Sequence, residues 1–181
     1  MKQKTLPFKI DYALITFIIV LLLPFVFFRE IALLVIVGLV VVLFGRSNPI
    51  YGDLKIEIHS ALMLAFGFVH GVWPAVYIAF GSALFANKIG KRIGGAQWPH
   101  FVLLDSIYMS IIALIATKLS LLFLYNYGFW IVAAGTIITR LVRVFFFMDP
   151  KSRALMLVTV SILFNYIIIE NLLPTFIELL R

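Results

Sequence analysis

Long runs of apolar residues alternate with short polar stretches along almost the whole chain. The runs lie at 12–28, 31–44, 60–72, 74–87, 101–124, 129–148 and 154–173. They are apolar on both faces, whereas a membrane strand alternates between apolar and polar positions, so they predict membrane-spanning helices. The predicted fold is all-α, a polytopic transmembrane helical bundle of six to seven membrane segments in a single integral membrane domain over residues 1–181. Residues 125–128 are expected to form a tight turn, and Pro174 is expected to end the last helix.

The apolar stretch 60–87 is interrupted by Gly71 and Pro74, so it predicts either one kinked span or a hairpin of two short legs, 60–72 and 74–87. As one helix it would be about 42 Å long, which exceeds a hydrocarbon core of about 30 Å. Two legs place ten loop Lys and Arg residues on the side of the N-terminus and three on the other side, whereas one span divides them seven to six. The ten are Lys2, Lys4, Lys9, Arg46, Lys55, Lys88, Lys91, Arg92, Lys151 and Arg153. Because cytoplasmic loops are rich in Lys and Arg, two legs and a cytoplasmic N-terminus are favoured, with the kinked span as the alternative.

The amino-acid composition is also that of an integral membrane protein. The chain is 64% apolar and 13% charged, and its mean hydropathy is +1.12, whereas soluble domains average about 45–50% apolar and about 25% charged. The formal charge of +7 lies mostly in short loops, where it is expected to meet the headgroups of the lipid bilayer and not nucleic acid. With no cysteine, no metal-ligand spacing and no nucleophile motif, we expect no enzyme, no cofactor and no metal site.

Ionisable residues inside the predicted spans are costly in a bilayer and therefore mark candidate sites. Asp105 and either Arg143 or Arg140 lie at matching depths on two antiparallel helices, which predicts an intramembrane ion pair. Lys118 and Glu170 lie at similar depth near the outer face and predict a second pair. The main interpretation of these residues is that they form ion pairs between helices or extend their charged groups to the lipid headgroups, with anion binding by the spare arginine and a proton relay as alternatives.

Small residues recur every four positions around the break in 60–87. They are Gly67, Gly71, Ala75, Ala79 and Ala83. Such a stripe lets another helix approach closely, and that helix belongs either to this chain or to a partner subunit.

The same segment carries a family resemblance. A short apolar leg leads to Gly67-Phe68-Val69-His70-Gly71-Val72-Trp73-Pro74, and a second leg follows with Gly81 and a polar end at Asn87. This pattern resembles the substrate-binding S components of energy-coupling-factor transporters, and it also looks like the related cell-shape membrane family MreD. The resemblance covers about 30 of the 181 residues.

An S-component resemblance implies a prokaryotic membrane subunit that captures a small molecule from the outer side, with energy supplied by partner subunits. The residues it implies as ligand contacts are His70, Trp73, Tyr77, Tyr127, Asn165 and Glu170. Such a site takes its specificity from a few polar groups in an apolar pocket. The alternatives are a non-catalytic scaffold or assembly protein of the MreD kind, and a lipid-interacting or channel protein.

Overall fold

The computed structural model describes residues 12–47, 58–93, 99–147 and 151–181, and every regular element in these ranges is helical. The elements are α1 (Tyr12–Phe27), a 3-10 turn (Arg29–Ile31), α2 (Ala32–Ser47), α3 (Ile58–His70), α4 (Val72–Ile93), α5 (Pro99–Ala116), α6 (Leu121–Phe147) and α7 (Lys151–Leu180). Four helical stretches are long and apolar enough to cross a membrane: Arg29–Ser47, Pro99–Ala116, Leu121–Phe147 and Ala154–Leu180. The predicted all-α class is confirmed for the described residues, and the chain is a helical membrane bundle.

Helices α3 and α4 form a hairpin beside α2. Gly38 of α2 packs against both Phe66 and Ile78, which lie on opposite sides of the break between α3 and α4. Further along α2, the Ser47 hydroxyl donates a 3.4 Å hydrogen bond to the carbonyl oxygen of Ala86. These two contacts show that α4 runs parallel to α2. Since Phe66 of α3 and Ile78 of α4 lie at the same level of the bundle, the chain folds back on itself between α3 and α4.

The remaining helices continue this alternation of direction. His100, near the start of α5, stacks on Phe147 at the end of α6. Gly128, near the start of α6, packs against Leu173 near the end of α7. The bundle thus has two ends: the N-terminal end, where α1 begins and α2, α4 and α6 finish, and the C-terminal end, where α3, α5 and α7 finish.

Helix α3 lies at the centre of the bundle. It contacts α2, α4, α5 and α7, and all eight residues from position 60 to position 67 are buried. A helix that is enclosed on every face is a core helix, so α3 is shielded from lipid by its neighbours over these two turns. Its contact with α5 is very close, because Gly67 lies against the backbone of Ala113 with no room for a Cβ atom.

The break in 60–87 lies at Gly71, at the start of the predicted interruption Gly71–Pro74, so the two legs are Ile58–His70 and Val72–Ile93 and not 60–72 and 74–87. Gly71 has a φ of 85°, a left-handed conformation that costs glycine little and ends α3. Helix α4 then begins at Val72, so Pro74 lies in its first turn, where the missing N–H costs no hydrogen bond.

Two other predicted boundaries are wrong. The turn expected at 125–128 is part of α6, which begins at Leu121 after a turn whose Ser120 hydroxyl accepts a 3.3 Å hydrogen bond from the Phe123 N–H and so caps the helix. The expected end at Pro174 is absent, because α7 continues through this proline to Leu180. Helix α2 also runs beyond the predicted 44, to Ser47. The basic residues Lys2, Lys4, Lys9 and Lys55, on which the predicted topology partly depends, lie outside the described residues.

Candidate functional site

Buried Ser, Thr, Asn, Asp and Arg side chains of the described residues lie between the middle of the bundle and its N-terminal end. We call this set the polar layer; its members are Arg46, Ser47, Ser60, Ser82, Asp105, Ser106, Thr136, Thr139, Arg140, Arg143, Ser161 and Asn165. Every helix from α2 to α7 contributes to it. Because polar groups are expensive in a membrane interior, a shared layer of this kind is the first candidate for a functional site.

Arg46, at the end of α2, inserts its guanidinium between α4 and α5. Its Nη1 donates to the Ala79 carbonyl oxygen at 2.6 Å and to Ser82 Oγ at 2.9 Å. Its Nη2 donates to Ser106 Oγ at 3.0 Å and approaches Met109 Sδ at 3.2 Å. The planar fork of the guanidinium therefore fixes three helices relative to one another.

Arg143 of α6 pairs with Asp105 of α5 inside the bundle. Arg143 Nη2 lies 2.8 Å from Asp105 Oδ1, and both side chains are buried. The guanidinium also lies over the ring of Phe101, with 4.4 Å between Cζ and the ring centroid. Arg140 is buried about one turn deeper on the same helix. Of the residues predicted to form intramembrane pairs, the structure thus brings together Asp105 and Arg143.

The polar-layer donor atoms without a hydrogen-bond partner among the described residues include two on α6. They are the hydroxyl of Thr136, which is 0% exposed, and the Nε of Arg143, which is 5% exposed. Seven residues separate them, which is about two helical turns, so both lie on one face of α6 about 10 Å apart along its axis. Buried polar groups in proteins nearly always have partners, so these two donors make this face of α6 the candidate binding surface.

Helix α7 carries buried polar side chains near the level of Thr136. The rings of Phe129 and Tyr166 are in contact, with 5.2 Å between their centroids, which sets the register of the antiparallel α6 and α7. Moving seven residues along α6 reaches Thr136, and moving seven residues back along α7 reaches position 159, so Ser161 and Asn165 lie within about two turns of the level of Thr136. Both of these α7 side chains are completely buried.

The ligand contacts expected near Gly71 do not converge. Trp73 is 72% exposed on the outer surface, and the Tyr77 hydroxyl donates to the carbonyl oxygen of Val20 in α1. His70 lies at the C-terminal end of the bundle, half-buried against Phe66.

The other expected contacts are also dispersed. Tyr127 and Glu170 are exposed, and only Asn165 lies in the polar layer. The predicted pair of Lys118 and Glu170 is not formed: no ion pair joins them in the described chain. Lys118 lies in the turn after α5, whereas α7 packs mainly against α3 and α6 and so does not bring Glu170 to that turn.

The small-residue stripe packs the chain against itself. The backbone of Ala113 packs directly against Gly67. Ala75 and Ala79 are fully buried between α4 and its neighbours. Ala83 is half-buried, and at Gly71 a Cβ would meet nothing within 4 Å. The helices that approach most closely along this stripe are therefore those of the same chain.

An apolar groove of about 530 Å³ opens between α5 and α6. Its lining side chains on α5 run from Leu104 to Ile115, and those on α6 run from Phe123 to Val142. The groove ends beside the polar layer, because Leu104 precedes Asp105 in sequence and Thr139 belongs to both features.

Sequence reasoning missed Arg46 and Thr136 as site residues. Arg46 counts as a loop charge in the sequence, yet α2 continues far enough to carry it inside. The available signal was the apolar run 31–44, which ends two residues before Arg46, so a further half-turn of helix carries Arg46 into the bundle. Thr136 gives no signal, because a single hydroxyl in an apolar run is common in membrane helices.

No protein-family model matches the chain, no curated protein matches its sequence and no solved structure matches its fold. The fold and the site define a class, a membrane helical bundle with a buried, arginine-containing polar layer.

Proposed function

We propose that this chain is a small-solute-binding membrane subunit whose ligand lies in the polar layer, and that partner subunits supply the energy for transport. The observation that carries this proposal is the pair of buried donors, Thr136 Oγ1 and Arg143 Nε. A buried donor without a partner costs about 1–3 kcal/mol. A ligand with acceptor oxygens can form hydrogen bonds with both donors and so remove that cost. The site therefore favours ligands of this kind.

The rest of the layer suits a binding site. Ligand sites are mostly apolar cavities with a few placed polar groups, and here the polar groups are surrounded by aliphatic helix faces. The clamps made by Arg46 and by Arg143 with Asp105 hold the contributing helices in fixed positions. Rigid support of this kind lowers the ordering cost of binding.

The proposal includes a topology of seven membrane segments, with a cytoplasmic N-terminus in a prokaryotic cell membrane. The α3–α4 hairpin supports it, because with a hairpin, and with Arg46 buried, nine of the predicted loop Lys and Arg residues lie on the side of the N-terminus and three on the other side. The polar layer then lies in the cytoplasmic half of the bundle, whereas the S-component resemblance implies a site near the outer leaflet.

Thermal unfolding of the purified protein in detergent tests the proposal. The probes are inorganic phosphate, small carboxylates, nucleobases and vitamins at constant ionic strength. A probe at one hundred times its Kd should stabilise the fold by about 2.7 kcal/mol.

Thr136→Val removes the buried hydroxyl at nearly constant volume, and it should reduce the affinity of the active probe about tenfold. Thr159→Val is the matched control, because the Thr159 side chain is exposed and bonds only to its own helix at Leu155. Absence of any stabilising probe, or an unchanged response in Thr136→Val, overturns the proposal.

A further inference from the structure

Helix α1 lies at the periphery of the bundle. Of its described side chains only Val20 and Pro24 are buried, and most of the others are exposed. Helix α3, by contrast, is enclosed on every face over two turns. Because few buried contacts mean low local stability, α1 can separate from its neighbours at a lower cost than a core helix can.

The two buried residues of α1 are the ends of a missing helical hydrogen bond. In a regular α-helix the carbonyl oxygen of Val20 would accept from the N–H of residue 24, but Pro24 has no N–H. A carbonyl oxygen without a donor is costly at membrane depth. Pro24 therefore weakens α1 at this turn and leaves one polar atom that a neighbouring helix has to satisfy.

Tyr77 of α4 supplies the missing donor. Its hydroxyl donates to the carbonyl oxygen of Val20. Its ring contacts the ring of Phe28, which directly follows α1, with 5.6 Å between the two centroids. One side chain thus replaces the hydrogen bond that Pro24 removes, and it contacts the chain on both sides of the proline.

The parts of α1 before and after Pro24 are held in different ways. Before it, side chains make the contact with α4: the ring of Phe17 lies edge-on to Phe85, with 5.0 Å between the centroids. After it, the backbone continues into the 3-10 turn, because the Phe28 N–H donates a 2.8 Å hydrogen bond to the Pro24 carbonyl oxygen. The first part can therefore detach while the second remains joined to α2.

We propose that Pro24 is a hinge in α1 and that the Tyr77 hydroxyl is its latch. While the hydroxyl donates to the Val20 carbonyl oxygen, α1 lies against α4. When this hydrogen bond opens, residues 12–23 swing about Pro24 into the surrounding lipid. The hinge involves none of the polar-layer residues, so the inference does not depend on the proposed function.

Distances between spin labels on α1 and α4 test the hinge, because the chain has no cysteine of its own. Leu14→Cys with Leu84→Cys reports on α1 before Pro24, and Phe27→Cys with Leu84→Cys reports on α1 after it; all three labelled sites are exposed. Both pairs should give narrow distance distributions in the otherwise unaltered protein. Tyr77→Phe should broaden the first distribution and leave the second unchanged.

Pro24→Ala restores the helical N–H, so in the Tyr77→Phe background it should return the Leu14–Leu84 distribution to its original width. Tyr166→Phe is the matched control, because this tyrosine is exposed, and it should broaden neither distribution. An unchanged width in Tyr77→Phe, equal broadening of both pairs, or broadening that Pro24→Ala does not reverse overturns the hinge. A broad first distribution in the unaltered protein also overturns it, since the latch would then hold nothing.

Discussion

Asp105 accepts a 2.8 Å hydrogen bond from Arg143, although the two residues lie on different membrane helices and both are almost completely buried. The pair joins α5 to α6 at the N-terminal end of the bundle, where the Arg143 guanidinium also lies over the ring of Phe101. Burying one charge without the other is far more costly than burying both, so the two residues should behave as a unit.

Asp105→Asn should destabilise the protein by about 3–5 kcal/mol, because it leaves the Arg143 charge buried without its counter-ion. In the background of Arg143→Gln the same change should cost much less. A double-mutant cycle from unfolding midpoints measures the difference as a coupling energy. Glu30→Gln, at an exposed site, is the control and should change little. Additive effects would show that the pair contributes nothing.

Arg46→Lys should destabilise the bundle even though the charge is kept. Lysine has one ammonium group, which cannot reach the Ala79 carbonyl oxygen, Ser82 Oγ and Ser106 Oγ together as the guanidinium does. The expected loss is about 2 kcal/mol, from one or two unmade bonds to a charged group. Arg29→Lys, exposed between α1 and α2, is the matched control for the change in side chain.

The result for Arg46→Lys can be checked from the other side of the contact. Ser82→Ala combined with Ser106→Ala removes two of the acceptors, and in that background Arg46→Lys should cost little more. An undiminished cost there would mean that the guanidinium acts through other contacts.

The apolar pattern predicted the helices well because a bilayer leaves the backbone no other way to satisfy its hydrogen bonds. The ends of the helices were predicted less well, since local groups decide them: the Ser120 hydroxyl caps α6, and the left-handed Gly71 ends α3. Pro174 misled the prediction because a membrane helix tolerates a proline when neighbouring helices support it.

The sequence predicts site residues only where the order of the helices fixes how deep each residue lies in the membrane. Asp105 and Arg143 lie on consecutive antiparallel helices joined by a short turn, so their levels follow from counting residues. Arg46 has its partners 36 and 60 residues away, at Ser82 and Ser106, and no spacing rule in the sequence connects them. The dispersal of the expected ligand contacts has the same cause, because helix rotation decides which residues face inward.

Gly67→Ala should destabilise the protein by about 3 kcal/mol, because an added Cβ meets the backbone of Ala113, which cannot move without displacing α5. Gly71→Ala should cost only about 1 kcal/mol, because there the Cβ has open space and only the left-handed conformation is unfavourable. Gly71→Asn should be tolerated better than Gly71→Val, since asparagine adopts that conformation more readily. Unfolding midpoints in detergent give all four values. Equal losses at the two glycines would contradict the close packing of α3 on α5.

The α3–α4 hairpin can be tested in intact membranes, because the chain has no cysteine and each introduced one is unique. Arg29→Cys and Trp73→Cys report on the C-terminal end of the bundle, and Pro99→Cys reports on the N-terminal end; all three sites are exposed. A membrane-impermeant thiol reagent should label the first two variants from one side of the membrane and the third from the opposite side.

A single kinked span would give a different pattern of labelling. The break near Trp73 would then lie within the bilayer and Trp73→Cys would stay unlabelled from both sides. Pro99→Cys would react from the same side as Arg29→Cys, because the chain would cross once between positions 58 and 93 and not return. Either result would remove the hairpin topology and, with it, the nine-to-three distribution of loop charges on which the proposed cytoplasmic position of the polar layer rests.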